Sequence, residues 1–182
     1  MGEFKIVTLG NFICQDALQV AMESFSIMFD QLTNKYLKKI NITLIDKKLH
    51  ELDNKELIEK YQLKGNMRLV HVYEQEKIIE VYETGSVLFI PCQRNLDHIF
   101  KESFSYGLPV LTFDLTVHEE FVDHTSGLLV DDGIETEVYA NFANKLQLLL
   151  FDPDARMMLR KGAKNKYENE FSWGTKGSRG TI

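Results

Sequence analysis

Cysteine is nearly absent. Cys14 and Cys92 are the only two, too few for a disulfide framework, so a reducing cytoplasmic setting is the expectation. No run of about 18 apolar residues occurs, so no segment reads as a membrane span. The opening Met1-Gly2-Glu3-Phe4-Lys5 passes straight into a strand-like run without the features of a signal peptide. Lysine and arginine number 21 against 27 acidic residues, a net charge of −6 with no basic stripe. That balance argues against non-specific nucleic-acid binding. Linkers, repeats and low-complexity tracts are missing too. What is present is the usual balance of a soluble globular protein, and 182 residues suit one domain with a good-sized core.

Short apolar runs alternate with longer helical patterns. Phe4–Leu9 reads as a first strand ending at Gly10. Asp16–Asn34 follows as a helix, with Leu18, Ala21, Met22, Phe25, Met28, Phe29 and Leu32 at helical spacing. Asn41–Ile45 is a second strand, and Asp53 with Glu56 resembles a capping box opening a short helix to about Gln62. Met67–Tyr73 is strand three, Gln75–Glu83 a short helix and Ser86–Pro91 strand four. A helix over Asp97–Tyr106 stops at Gly107, and Leu108–Phe113 is strand five. Thr116 and Glu119 repeat the capping-box pattern for a short helix through Val122, and Gly127–Val130 is strand six. Glu135–Phe151 is a helix with Val138, Phe142, Leu146 and Leu149 on one face. Asp152 then reads as an N-cap with Pro153 in the first helical position, starting a last helix to about Glu170. The expectation is an α/β domain over residues 1–173, a doubly wound, Rossmann-like parallel sheet of about six strands with helices on both faces. The polar, glycine-rich residues 174–182 read as a frayed tail.

Open parallel sheets bind ligands beyond the carboxyl ends of their strands, where the strand order reverses, commonly between strands one and four. The relevant loops are then Gly10–Asp16 and Pro91–Asp97. The first holds a single glycine, so neither G-x-G-x-x-G nor a Walker lysine is present, and a plain strand-to-helix turn is the blander view of it. The second, Cys92-Gln93-Arg94-Asn95-Leu96-Asp97-His98, leads into Ile99-Phe100-Lys101-Glu102 and a helix N-terminus with unpaired amides. Arg94 is either a two-pronged grip on phosphate or a solvated loop residue. Phe12, Val72 and Tyr73 are candidates for a nucleobase, or rim packing.

Ser86–Pro91, the run Lys101-Glu102-Ser103-Phe104-Ser105-Tyr106-Gly107-Leu108-Pro109-Val110, the run His118–Val122 with Ser126–Val130, and the closing Asp152-Pro153 through Phe171-Ser172-Trp173 carry a family pattern. They resemble the carboxyl-terminal, donor-binding domain of family 4 (group 1) retaining glycosyltransferases, which have the GT-B architecture of two Rossmann-like domains. Phe4–Phe29 fits more loosely. The resemblance implies a domain that binds a nucleoside-diphosphate sugar without a metal or other cofactor and transfers the sugar to a glycan or lipid-linked acceptor. It implies that an N-terminal acceptor domain, or a partner glycosyltransferase, completes the enzyme, and that the isolated domain transfers nothing. Peripheral membrane association, at the inner face, would come only through the full-length protein. Glu102 takes the position of the glutamate that holds the ribose hydroxyls in the family, a role suited to two acceptor oxygens. The resemblance makes Gly10, Asn11, Tyr73, Arg94, Leu96 and Asp97 its companions in donor binding, and no residue stands out as catalytic.

Three departures complicate this picture. The family's other glutamate should fall near Arg94, and its arginine and lysine after strand one should fall near Asn11 and Asp16. Those cations neutralise the departing diphosphate in the family. An aspartate in their place weakens phosphate binding, unless Arg94 compensates. A degenerate module that binds a partner or an acceptor is therefore the alternative. His118-Glu119-Glu120 fits no zinc spacing. Cys92 precedes a helix N-terminus, where a thiolate could be stabilised, but it occupies the family's serine position, so a small polar residue is the blander view of it.

Overall fold

The computed structural model of the chain describes residues 2–10, 16–46, 56, 58–63 and 65–172. Six strands form one parallel sheet: β1 (Phe4–Leu9), β2 (Ile40–Asp46), β3 (Met67–His71), β4 (Val87–Phe89), β5 (Val110–Asp114) and β6 (Gly127–Asp131). Their order is β3-β2-β1-β4-β5-β6. The sheet therefore grows outward in one direction from β1 to β3 and in the other from β4 to β6, with the reversal between β1 and β4. Phe4 pairs with Ile40 across to β2, and Ile6 pairs with Val87 across to β4.

The strands are apolar almost throughout because both faces are covered. The period of two sends alternate residues to opposite sides. Phe4, Ile6, Val87, Phe89, Leu111 and Phe113 enter one core. Val7, Leu9, Leu88, Ile90 and Val110 enter the other. The first core is roofed by α1 (Ala17–Asp30) and α6 (Glu135–Phe151). Its centre is aromatic: Phe25 meets Phe89 edge-on at 5.5 Å between centroids, and Phe142 meets both Phe89 and Phe113 at 5.1 Å. Each such fully buried ring contributes about 2–3 kcal/mol. The second core is roofed by α3 (Gln75–Thr84), α4 (Asp97–Ser105) and α7 (Pro153–Lys166). The shorter helices are α2 (Asn34–Leu37) and α5 (Thr116–Glu119).

Several boundaries depart from expectation for identifiable reasons. The helix expected to reach Asn34 ends at Asp30, and Asn34 begins α2 after Thr33 turns extended. Strand four is shorter than Ser86–Pro91, because Pro91 has no N–H for the ladder and the Ile90 carbonyl accepts from the Thr112 hydroxyl at 2.8 Å. Strand five starts at Val110 rather than Leu108. The Leu108 N–H instead bonds the Ser103 carbonyl and the Gly107 N–H bonds Phe104, a Schellman closure of α4 with Gly107 at φ 68°. The Thr116–Glu119 capping box is absent: α5 is preceded by Leu115, with no side-chain cap. Asp152 does cap α7, accepting from the Ala155 N–H at 2.9 Å, with Pro153 following. The last helix turns into a π-helix over Tyr167–Phe171, which lays Phe171 against Phe104 and Phe121. The expected Asp53 cap lies outside the described residues.

Candidate functional site

A cavity of about 200 Å³ opens beside the sheet's reversal point, between α3 and α4. Its apolar floor comes from the ends of the strands and the helix faces above them: Leu9, Ile45, Val72, Ile78 and Ile99. Its polar lining is Gln75, Tyr82, His98 and Glu102. Ile78 and Tyr82 are four residues apart on α3, and His98 and Glu102 four apart on α4, so each pair shares a helix face. A volume of about 200 Å³ falls below the roughly 300–1,000 Å³ of whole-ligand pockets. It suits one ring of a ligand rather than a complete nucleotide sugar.

Glu102 is exposed at this cleft. Tyr82 is buried, and burial first, then the charge of Glu102, push its hydroxyl above the ordinary tyrosine value. The pair offers an acceptor and a donor on facing helices.

Of the other expected site residues, Leu96 is buried in the second core just before α4, so its side chain serves packing. Asp97 starts α4. Its N–H is taken by the Asn95 Oδ1 at 2.9 Å, and its carboxylate reaches Lys101 at 3.2 Å, a hydrogen bond that lowers its pKa. Tyr73 is 76% exposed, its ring tilted against His71 at 4.9 Å, and lies next to the cavity-lining Val72 rather than in the cavity. Gly10 follows β1 with its N–H donated to the Ile45 carbonyl at 2.8 Å, and the Asp46 carboxylate fills the space a Cβ at residue 10 would take. Asn11, Phe12 and Cys14 lie outside the described residues. Asp16 is exposed ahead of α1 without a side-chain capping bond.

Arg94 projects from the β4–α4 loop, with an exposed side chain and an anchored backbone. Its N–H donates to the Cys92 Sγ at 3.4 Å, and its carbonyl lies 2.7 Å from His118 Nε2. Cys92 is buried, which suits a packing and accepting role more than reactivity. Among the described residues, no group of three or more histidine, cysteine, aspartate or glutamate side chains is placed to hold a metal ion. None of the described helices is long and apolar enough to cross a membrane. Tyr82, His98 and Gln75 were not singled out in the sequence. The only signal for Tyr82 is its place on the apolar face of α3.

The family model described as glycosyl transferases group 1 matches residues 2–166. The chain belongs to this family. Its fold agrees with solved members of the architecture. The pneumococcal O-GlcNAc transferase GtfA, solved with UDP and GlcNAc, has a TM-score of 0.73 at 16% identity, covering 92% of this chain and 33% of GtfA. TarM from S. aureus, solved with UDP among its ligands, gives 0.75 at 13% identity, covering 95% and 34%. The C-terminal domain of the group 1 family protein LpcC from Francisella tularensis gives 0.71 at 15% identity, covering 93% and 87%. This group 1 glycosyltransferase chain thus spans about a third of the length of the first two and most of the isolated domain of the third. No individual curated protein matches the sequence.

Proposed function

We propose that this chain is the donor-binding half of a retaining glycosyltransferase that takes a nucleoside-diphosphate sugar. The observation that supports this most is the position of Glu102, on the helix after β4, facing a cleft that also contains the end of β1. A carboxylate there accepts from the two ribose hydroxyls at once, and the apolar floor packs one ring. Arg94 approaches the diphosphate from the β4–α4 loop and balances the negative charge that builds on the departing nucleotide. No metal or other cofactor is part of this scheme. The remaining ligand contacts, and the acceptor glycan or lipid-linked acceptor, belong to an N-terminal domain or partner outside the chain, consistent with coverage of about a third of GtfA and TarM. The complexes of those proteins with UDP make UDP-sugars the first donors to test.

Calorimetric titration with UDP-, GDP- and ADP-sugars tests this function. One of them should bind, and Glu102→Ala should weaken it roughly 10- to 100-fold, the cost of losing charge-assisted hydrogen bonds. Absence of heat with every donor, or an inert Glu102→Ala, refutes it.

A second role is favoured by the acids around the β1 end. Asp46 packs on Gly10, and Asp16 stands where the family pattern calls for lysine. An aspartate at residue 16 works against a diphosphate. A degenerate domain retained to bind a partner glycosyltransferase or an acceptor would bind no donor, and Asp16→Lys with Asn11→Arg would not create activity. Tight donor binding by the unchanged chain rules this out.

A further inference from the structure

We infer that His118 is a positioning residue for the donor site: it fixes the β4–α4 loop so that Arg94 presents its guanidinium to the ligand phosphates. This rests on the donor-binding function proposed above. His118 is fully buried, on α5 after β5. A buried imidazole is costly unless its nitrogens are partnered. Nε2 lies 2.7 Å from the Arg94 carbonyl oxygen and Nδ1 3.0 Å from the Phe113 carbonyl oxygen, both of which only accept; the proton is assigned to Nε2, which makes the shorter contact and donates to Arg94. Nδ1 also lies 3.4 Å from the Thr112 hydroxyl, whose own hydrogen bond goes to the Ile90 carbonyl at 2.8 Å. The imidazole therefore joins the turn after β5 to the loop after β4, 24 residues earlier in the chain.

The same ring stands edge-on to Phe100 at 5.3 Å and 87°. Phe100 lies on α4, two residues before Glu102, so His118 touches both the loop that carries Arg94 and the helix that carries Glu102. Arg94 has both backbone polar groups engaged inside the protein, by Cys92 and His118, while its side chain points outward. Asn95 holds the next turn through the Asp97 N–H. An arginine on a backbone held in this way gives up less freedom when it grips a phosphate. An apolar side chain of similar size at residue 118 would fill the core but leave the Arg94 carbonyl without its donor.

The test is calorimetry with UDP, GDP and ADP on the unchanged chain and on His118→Phe, His118→Gln, Arg94→Ala and the His118→Phe/Arg94→Ala pair. His118→Phe should weaken the best-bound nucleotide roughly tenfold, the typical cost of an unsatisfied buried acceptor passed on to the loop. His118→Gln, with an amide N–H able to reach the same carbonyl, should restore most of it. In the Arg94→Ala background, His118→Phe should cost nothing further. Alkylation of Cys92, read by peptide mass spectrometry, should quicken in His118→Phe and stay slow in Arg94→Ala. Should His118→Phe not fold, His118→Asn, whose amide is too short for the span, takes its place. Undiminished binding, an equal loss in the Arg94→Ala background, or no rescue by glutamine overturns the positioning role alone. Absence of nucleotide binding by the unchanged chain overturns the donor function with it.

Discussion

The side chain of Asp46 lies against Gly10, in the space that a Cβ at residue 10 would need. Asp46 is only 6% exposed at the end of β2, so it has little room to step aside. Gly10→Ala should therefore destabilise the fold by about 1–3 kcal/mol through overpacking. Urea unfolding of Gly10→Ala, Asp46→Ala and the double variant provides the check. The double variant should be more stable than the two single costs added together, because truncating Asp46 vacates the contested space. Simple additivity would mean that the two residues do not collide.

Glu102 and Tyr82 give a test of the cleft that needs no ligand. The Glu102 charge holds the Tyr82 hydroxyl above the ordinary value of 10.0, on top of the larger effect of burial. Removing a neighbouring negative charge favours the phenolate, so Glu102→Gln should lower the Tyr82 titration midpoint. Phenolate absorbance, with Tyr82→Phe to assign the signal, reads the shift. An unmoved midpoint would place Glu102 away from Tyr82.

Acid should weaken the closing helix first. Lys166 Nζ sits 2.6 Å from Asp123 Oδ2 and 3.4 Å from Glu170 Oε2. Burial pushes Asp123 up, but hydrogen bonds from Lys166 and Thr125 outweigh it and hold the carboxyl well below its ordinary 3.8. A carboxylate with a depressed folded value lends stability above its unfolded value and loses it as pH falls towards the folded one. Stability should thus decline below about pH 4, and Asp123→Asn should start lower at neutral pH and show a shallower decline. Parallel acid slopes in the two proteins would remove Asp123 from the explanation.

Asp152 caps α7 through the Ala155 N–H, with Pro153 behind it. Asp152→Ala should cost about 1 kcal/mol and Asp152→Asn less, since asparagine caps nearly as well. Thermal unfolding of the two variants measures the difference.

Much of the fold was legible in local pattern. The β1 run Phe4–Leu9, the apolar stripe of α1 and the Asp152-Pro153 start of α7 are each decided by residues within a few positions of one another. Ends were less legible where distant partners compete. Ile90 keeps its N–H on the Leu111 carbonyl but gives its own carbonyl to the Thr112 hydroxyl, and Leu108 stays out of β5 because Ser103 takes its N–H. Thr116 looked like a cap, but Leu115 extends into that position.

By itself, the sequence determined the class of the molecule: alternating apolar runs and amphipathic stretches admit a parallel sheet covered on both sides and little else. It also placed Glu102 and Arg94 in the elements that border the reversal of strand order. Only the tertiary structure decided how those elements meet. The His118 nitrogen on the Arg94 carbonyl, Asp46 on Gly10 and Tyr82 across from Glu102 join positions 20 or more residues apart. Hydrophobic period reports which face a residue takes and is silent about its neighbour there. That neighbour is set by strand order and helix packing, which exist only once the whole sheet has assembled.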